Sequence, residues 1–216
     1  MPYGAIRRWR NLALVASLAL PVAAAAEPLT LVAFGDSLTQ GYGLPPDQGL
    51  VPQLQAWLQA RGADVTVINA GVSGDTTAGG ASRIDWTLTP EVDAMILTLG
   101  GNDMLRGIDP AEARRNLDMI LTATEARDLP VLLVPMQAPG NYGPDYKRDF
   151  DAMYPDLAAR HGALLADSFF APLLDTGADP AAVMQPDGIH PNAEGVAMIV
   201  AGLGPQVLTL LKSATP

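Results

Sequence analysis

Short apolar runs alternate along the chain with longer stretches whose apolar positions recur every three or four residues. The runs at 29–34, 64–69, 92–99, 131–135 and 163–166 predict five strands. Between them, 51–61 carries Leu54, Trp57 and Leu58 on one helical face and stops at Gly62. Residues 76–87 predict a second helix. Asp109 suits an N-cap and Pro110 the first position of a third, which runs to about Arg127. Further helices are predicted over 146–160, ended by Gly162, and from Pro191 to about Leu211. Strands that are apolar throughout, separated by helices, imply a parallel sheet covered on both faces. The predicted fold class is α/β: a three-layer α/β/α sandwich on a five-stranded parallel sheet. Ligands of such sheets bind at the carboxyl ends of the strands.

The start of the chain departs from this pattern. Arg7, Arg8 and Arg10 precede an apolar stretch at 12–22, and Ala24-Ala25-Ala26 precedes Glu27. That order reads as a secretory signal peptide over residues 1–26, with one domain over 27–216. The apolar stretch is too short to span a bilayer, and no later stretch reads as a membrane span. The expected location is therefore exported, in the periplasm or outside the cell, with no stable membrane insertion once the signal is removed.

All 23 acidic residues lie after residue 26, while three of the 13 basic ones precede it, leaving the mature part at a net charge of −13. Such a surface repels nucleic acid and anionic lipid. There is no cysteine, and there are two histidines. A cysteine nucleophile is excluded, and an ordinary zinc site is not expected. Gly41-x-Gly43 runs into Leu-Pro-Pro rather than a dinucleotide fingerprint, and no phosphate-binding loop occurs. No metal and no cofactor are expected.

Four polar clusters fall where strands end or the last helix begins. Gly35-Asp36-Ser37-Leu38 follows the first strand, and Gly35 permits a tight turn that exposes the serine. Asp187-Gly188-Ile189-His190 precedes the last helix. Its D-x-x-H spacing can set a carboxylate on one imidazole nitrogen and leave the other free to take a proton from a serine. Gly71-Val72-Ser73-Gly74-Asp75 and Gly100-Gly101-Asn102-Asp103 offer a backbone N–H and a carboxamide suited to an oxyanion. Each cluster alone is also an ordinary turn or helix cap.

Together and in this order, the clusters resemble the SGNH (GDSL-type) hydrolases. The matching residues are Ser37 in FGDSLTQGYG, Gly74 in NAGVSGDTT, Asn102 in LTLGGNDMLRG, and Asp187 with His190 in QPDGIHPNAEG. Within that superfamily GGNDMLRG and APGNYGPDY look most like the bacterial arylesterase/thioesterase I/lysophospholipase L1 group. The resemblance covers residue 29 to about 210. It implies a flavodoxin-like α/β/α fold and an ester hydrolase without metal, acting on small-molecule or lipid esters. Ser37 is then the nucleophile, His190 the general base and Asp187 its orienting carboxylate. The Ser37 and Gly74 N–H groups and the Asn102 side chain form the oxyanion hole. The serine motif is not the Gly-x-Ser-x-Gly elbow, since Thr39 stands where the second glycine would be.

Asp36, Asp75 and Asp103 read as residues that hold their loops, His161 as a cation at a helix end, and Arg106 as a packing or pairing residue beside Asn102. Residues 135–146, with three prolines and two glycines, are expected to be irregular and to overhang the strand ends. There Met136 and Tyr142 are candidate acyl-binding residues. Two other readings stay open on sequence alone: a carbohydrate or peptidoglycan O-acetylesterase, and a catalytically silent binding domain on the same fold.

Overall fold

The computed structural model describes Met1, residues 27–177 and residues 179–214. The rest of the expected signal peptide lies outside the described residues. Five strands form one parallel sheet: β1 (Leu29–Gly35), β2 (Val65–Gly71), β3 (Ala94–Thr98), β4 (Val131–Leu133) and β5 (Leu164–Leu165). Their order is β2-β1-β3-β4-β5. The chain therefore reverses direction across the sheet between β1 and β3, the switch point where such sheets hold ligands.

All five residues of β3 are buried, as is β1 from Leu31 onward, because helices cover both faces of the sheet centre. The edge strand β2 departs from that expectation: Val65 and Val67 are buried, while Thr66 and Ile68 face outward. Strand β4 stops short of the predicted 135, although Val134 still donates to Leu97 O. Pro135 has no N–H with which to continue the ladder.

One face is covered by α2 (Leu50–Gln59) and α9 (Ala193–Ala214), which pack together. The other carries α3 (Thr77–Thr87), α5 (Pro110–Glu125) and α6 (Pro144–His161). Helix α5 buries Ala113, Leu117, Ile120, Leu121 and Thr124, a stripe at helical spacing. Its Asp109 cap accepts from Ala111 N–H at 2.9 Å.

Helix α9 corrects two expectations. By length and hydropathy alone it would cross a bilayer, but Val196, Ile199, Val200, Leu203, Val207, Leu210 and Leu211 are buried in the core. It also starts two residues after Pro191, which instead pairs with Met184 in an isolated antiparallel bridge. The Asn192 side chain takes the cap, accepting from Gly195 N–H at 3.0 Å.

The stretch 135–146 is less irregular than expected. Gly140–Tyr142 makes one 3-10 turn. Pro144 opens α6, where its missing N–H would have no helical partner in any case. Four short helices do not show in the hydrophobic pattern: α1 (Ser37–Gln40), α4 (Gly101–Leu105), α7 (Ala171–Asp175) and α8 (Pro180–Val183). All four lie at the end of the sheet where β1 and β3 terminate or pack beside α9.

Candidate active site

Strand β1 ends at Gly35, and α1 folds directly down on it. A Cβ at Gly35 would collide with Thr39 Oγ1 and lie 2.7 Å from Thr98 O, so no other residue admits this turn. Asp36 caps α1 by accepting from Leu38 N–H at 3.0 Å. Ser37 is thereby fixed as the first helical residue. Its N–H belongs to the first turn and has no acceptor within the helix.

His190 closes on this serine from the far end of the chain, with Ser37 Oγ 2.8 Å from His190 Nε2. On the other side of the ring, His190 Nδ1 lies 2.6 Å from Asp187 Oδ2. An ionised carboxylate only accepts, so Nδ1 carries the proton and Nε2 is left as the acceptor for the serine O–H. Asp187 Oδ1 meanwhile accepts from Ile189 N–H at 2.9 Å and His190 N–H at 3.0 Å. The His190 N–H, the imidazole and the Ile189 N–H together hold the Asp187 carboxyl down at about 2.

Asn102 stands in the first turn of α4, across the switch point from Ser37. Its Nδ2 donates to Asp36 Oδ2 at 3.2 Å. Asp36 is 1% exposed, and that burial pushes its carboxyl up to about 6 against the hydrogen bonds from Leu38 and Asn102. Gly74 lines the same cavity, and its carbonyl accepts from Arg106 Nη2 at 2.8 Å. Arg106 is thus tied to the Gly74 loop.

Two further carboxylates fix the loops behind the site. Asp103 is fully buried and accepts from Thr77 N–H at 2.8 Å and Thr77 O–H at 2.6 Å, joining α4 to α3. Asp75 pairs with Arg83 at 2.7 Å, whose Nη2 also donates to Gly35 O at 2.9 Å. His161 lies elsewhere: its ring nitrogens meet Asp118 at 2.8 Å and Glu125 at 2.9 Å, tying the end of α6 to α5.

Ser37 and His190 open onto a cavity of about 830 Å³. Ser37, Gly74, Asn102 and His190 all line it, and Asp36 lies against it. The walls are largely apolar. Met136 and Ala138 come from the segment after β4, and Phe170, Leu173, Leu174, Val183 and Met184 from the α7–α8 region. Of the two candidate acyl-binding residues, the structure brings Met136 to the cavity and not Tyr142. Tyr142 packs on Tyr146, with ring centroids 5.0 Å apart, and its hydroxyl reaches Leu105 O at 3.4 Å. Sequence reasoning missed the α7–α8 wall. Its trace in the sequence is the apolar doublets Phe169-Phe170 and Leu173-Leu174, standing between the fifth strand and the histidine cluster.

A parallel α/β/α sheet with this serine, histidine and carboxylate at its switch point defines a hydrolase. The chain belongs to the GDSL-like lipase/acylhydrolase family, whose model matches residues 33–198. It is 38% identical to esterase TesA of Pseudomonas aeruginosa over 183 residues, which are 84% of this chain and 89% of that protein. It is 33% identical to thioesterase 1/protease 1/lysophospholipase L1 of Escherichia coli strain K12 over 216 residues, 98% of each chain. Among solved structures it is similar to AlinE4, a SGNH-hydrolase family esterase. That match has a TM-score of 0.69 at 42% identity and covers 87% of this chain and 99% of that one.

Proposed function

We propose that the chain hydrolyses carboxylic esters and thioesters of acyl chains through an acyl-enzyme on Ser37. The observation that carries this reading is the unbroken relay Ser37 Oγ, His190 Nε2, His190 Nδ1, Asp187 Oδ2, with contacts of 2.8 and 2.6 Å. In the first step Ser37 Oγ bonds to the carbonyl carbon while its proton passes to His190 Nε2. The imidazolium so formed is stabilised by ionised Asp187. The carbonyl oxygen gains the negative charge and is held by the N–H groups of Ser37 and Gly74 and by Asn102 Nδ2. Asp36 occupies one Asn102 hydrogen, which leaves the other for the oxyanion. As the carbon–oxygen or carbon–sulfur bond breaks, His190 returns its proton to the leaving alkoxide or thiolate. Water, deprotonated by His190, then attacks the acyl-enzyme, and Ser37 is restored with release of the acid.

The apolar walls of the cavity support an acyl chain, rather than a sugar, as the group next to Ser37. The similarity to an esterase and to a thioesterase/lysophospholipase supports the same substrate class. Ser37→Ala should abolish ester hydrolysis and labelling by a serine-directed fluorophosphonate while leaving the protein folded. Near-normal turnover by folded Ser37→Ala would end the assignment. Acetate release from acetylated glycans exceeding hydrolysis of acyl esters would move the substrate to the O-acetylesterase class.

The reading includes export. The arginines and apolar run before Glu27 support removal of residues 1–26 on secretion. N-terminal sequencing of the mature protein from its native cell should begin at or within a residue or two of Glu27, and a chain beginning at Met1 would overturn it.

A further inference from the structure

The loop carrying Tyr42 and the turn carrying His190 are joined by one side chain, Gln185, which has no part in the steps above. Its Nε2 donates to Tyr42 O at 2.8 Å and to Pro191 O at 3.0 Å. Its backbone N–H donates to His190 O at 2.8 Å, and its own carbonyl accepts from Gly188 N–H at 3.0 Å. Both side-chain hydrogens and both backbone groups of one residue are thus committed around the Ser37–His190 contact.

Each end of this strap leads to a reacting group. Tyr42 N–H donates to Ser37 O at 3.1 Å, so Tyr42 is bound to the nucleophile's own helix. The Tyr42 ring also lies against the His190 ring, with centroids 4.8 Å apart and planes at 38°. At the other end, His190 and Pro191 give Gln185 their carbonyls, which fixes the main chain on both sides of the imidazole. The opposing loop is shaped to receive the amide. A Cβ at Gly43 would collide with Gln185 Oε1, and Gly43 sits at φ +75°, where side chains are rarely accommodated.

We propose that Gln185 is a positioning residue that sets the approach of His190 to Ser37. The 2.8 Å contact spans 153 residues of sequence and joins the start of α1, which leads into the Tyr42 loop, to the separate turn that carries His190. A glutamine that donates to both loops makes them move as one body. The two donors are the essential feature, since the three groups they and the main chain serve are carbonyl oxygens and a carboxylate cannot replace them. The proposal rests on Ser37 and His190 being nucleophile and base.

The test measures steady-state kinetics and the second-order rate of fluorophosphonate labelling, on wild type, Gln185→Met, Gln185→Glu and Gly43→Ala. Gln185→Met keeps the volume without the donors, and Gln185→Glu turns both contacts repulsive. Misalignment of the pair should lower kcat in both by about 10- to 100-fold, with KM within about twofold. Labelling should slow in parallel. Gly43→Ala, which leaves Gln185 in place but pushes its amide out, should show the same split and keeps the test open where a Gln185 variant does not fold. Folded variants that label and turn over like wild type would overturn the strap. So would a loss of activity that only tracks the folded fraction, since that is what a loop-stabilising role alone would give. A wild type that is not labelled at Ser37 would instead overturn the nucleophile assignment, so the two failures are distinguishable.

Discussion

Asn102 Nδ2 lies 3.2 Å from Asp36 Oδ2, across the switch point between the first and third strands. On sequence alone, Asp36 does no more than hold its turn. In the structure it caps the helix that starts at Ser37 with one oxygen and orients the Asn102 carboxamide with the other. Asp36→Asn puts an amide donor against one of these two donors. It should lower kcat by about tenfold, with little change in KM. Its stability should also change with pH in a set direction. Burial raises the folded carboxyl from 3.8 to about 6, so between those values the folded state holds the proton that the unfolded chain has lost. Stability from this group is present in acid and is lost as pH rises through about 6, by roughly 2 kcal/mol between pH 4 and pH 7. Asn cannot titrate. Urea unfolding at the two pH values should therefore show the variant gaining on wild type by that amount at pH 7. An equal gap at both would refute the buried, proton-holding Asp36.

In the proposed mechanism, Asn102→Ala removes a donor to charge that develops only in the transition state. The expected result is a fall of roughly 10²–10³ in kcat with a smaller change in KM. A change confined to KM would make Asn102 a ground-state binding residue.

Asp187 should outrank Asp36 in its effect on rate. Its two oxygens fix the turn and the imidazole at once, and its carboxyl is held at about 2, so it is charged throughout the neutral range. What it adds to stability is present above about 3.8 and lost as pH falls toward 2. Asp187→Asn keeps the shape but presents an amide that favours the wrong imidazole tautomer. The expected loss in kcat is up to about 10⁴. Folded proteins with the reverse ranking of Asp187→Asn and Asp36→Asn would exchange the two roles.

Arg106 is exposed, yet its guanidinium donates to Gly74 O at 2.8 Å. With that carbonyl fixed, the loop that presents the Gly74 N–H is fixed too. Arg106→Met keeps the aliphatic stem and loses the donor. It should cost about tenfold in kcat and leave KM and thermal stability near wild type. An unchanged kcat would show that the loop holds itself, through Asp75 and Arg83 alone.

The central strands were legible because a strand buried on both faces has no polar position to break its run, as in β1 and β3. The candidate catalytic residues were legible because the proposed chemistry demands particular side chains: Ser37, Asn102 and His190 line one cavity, and Asp187 meets His190 at 2.6 Å. Arg106 and Gln185 were harder to read. Their contacts are to main-chain carbonyls of Gly74, Tyr42 and Pro191, and a carbonyl leaves no trace in a sequence. Helices α7 and α8 escaped for another reason. At five and four residues they are too short to show a helical period, although Leu173 and Val183 are buried by them.

The α7–α8 wall decides the last prediction. On sequence, Tyr142 is a candidate to touch an acyl chain, but it packs outside the cavity on Tyr146. Leu174 lines the cavity while remaining 68% exposed, so it can be trimmed with little loss of core packing. If the acyl chain runs along the α7–α8 wall, Leu174→Ala removes apolar surface that only a long chain reaches. Each substrate methylene left in water rather than against that wall costs at most about 0.8 kcal/mol, close to fourfold in kcat/KM. Measured on p-nitrophenyl esters from C2 to C12, the variant should match wild type at C2 and fall behind progressively as the chain lengthens. Tyr142→Ala should show no such trend, because its ring meets Tyr146 and Leu105 rather than substrate. A uniform fall for Leu174→Ala would mean that α7 supports the catalytic geometry. A chain-length trend appearing in Tyr142→Ala instead would place the acyl chain on the opposite rim, beside the turn at Gly140–Tyr142.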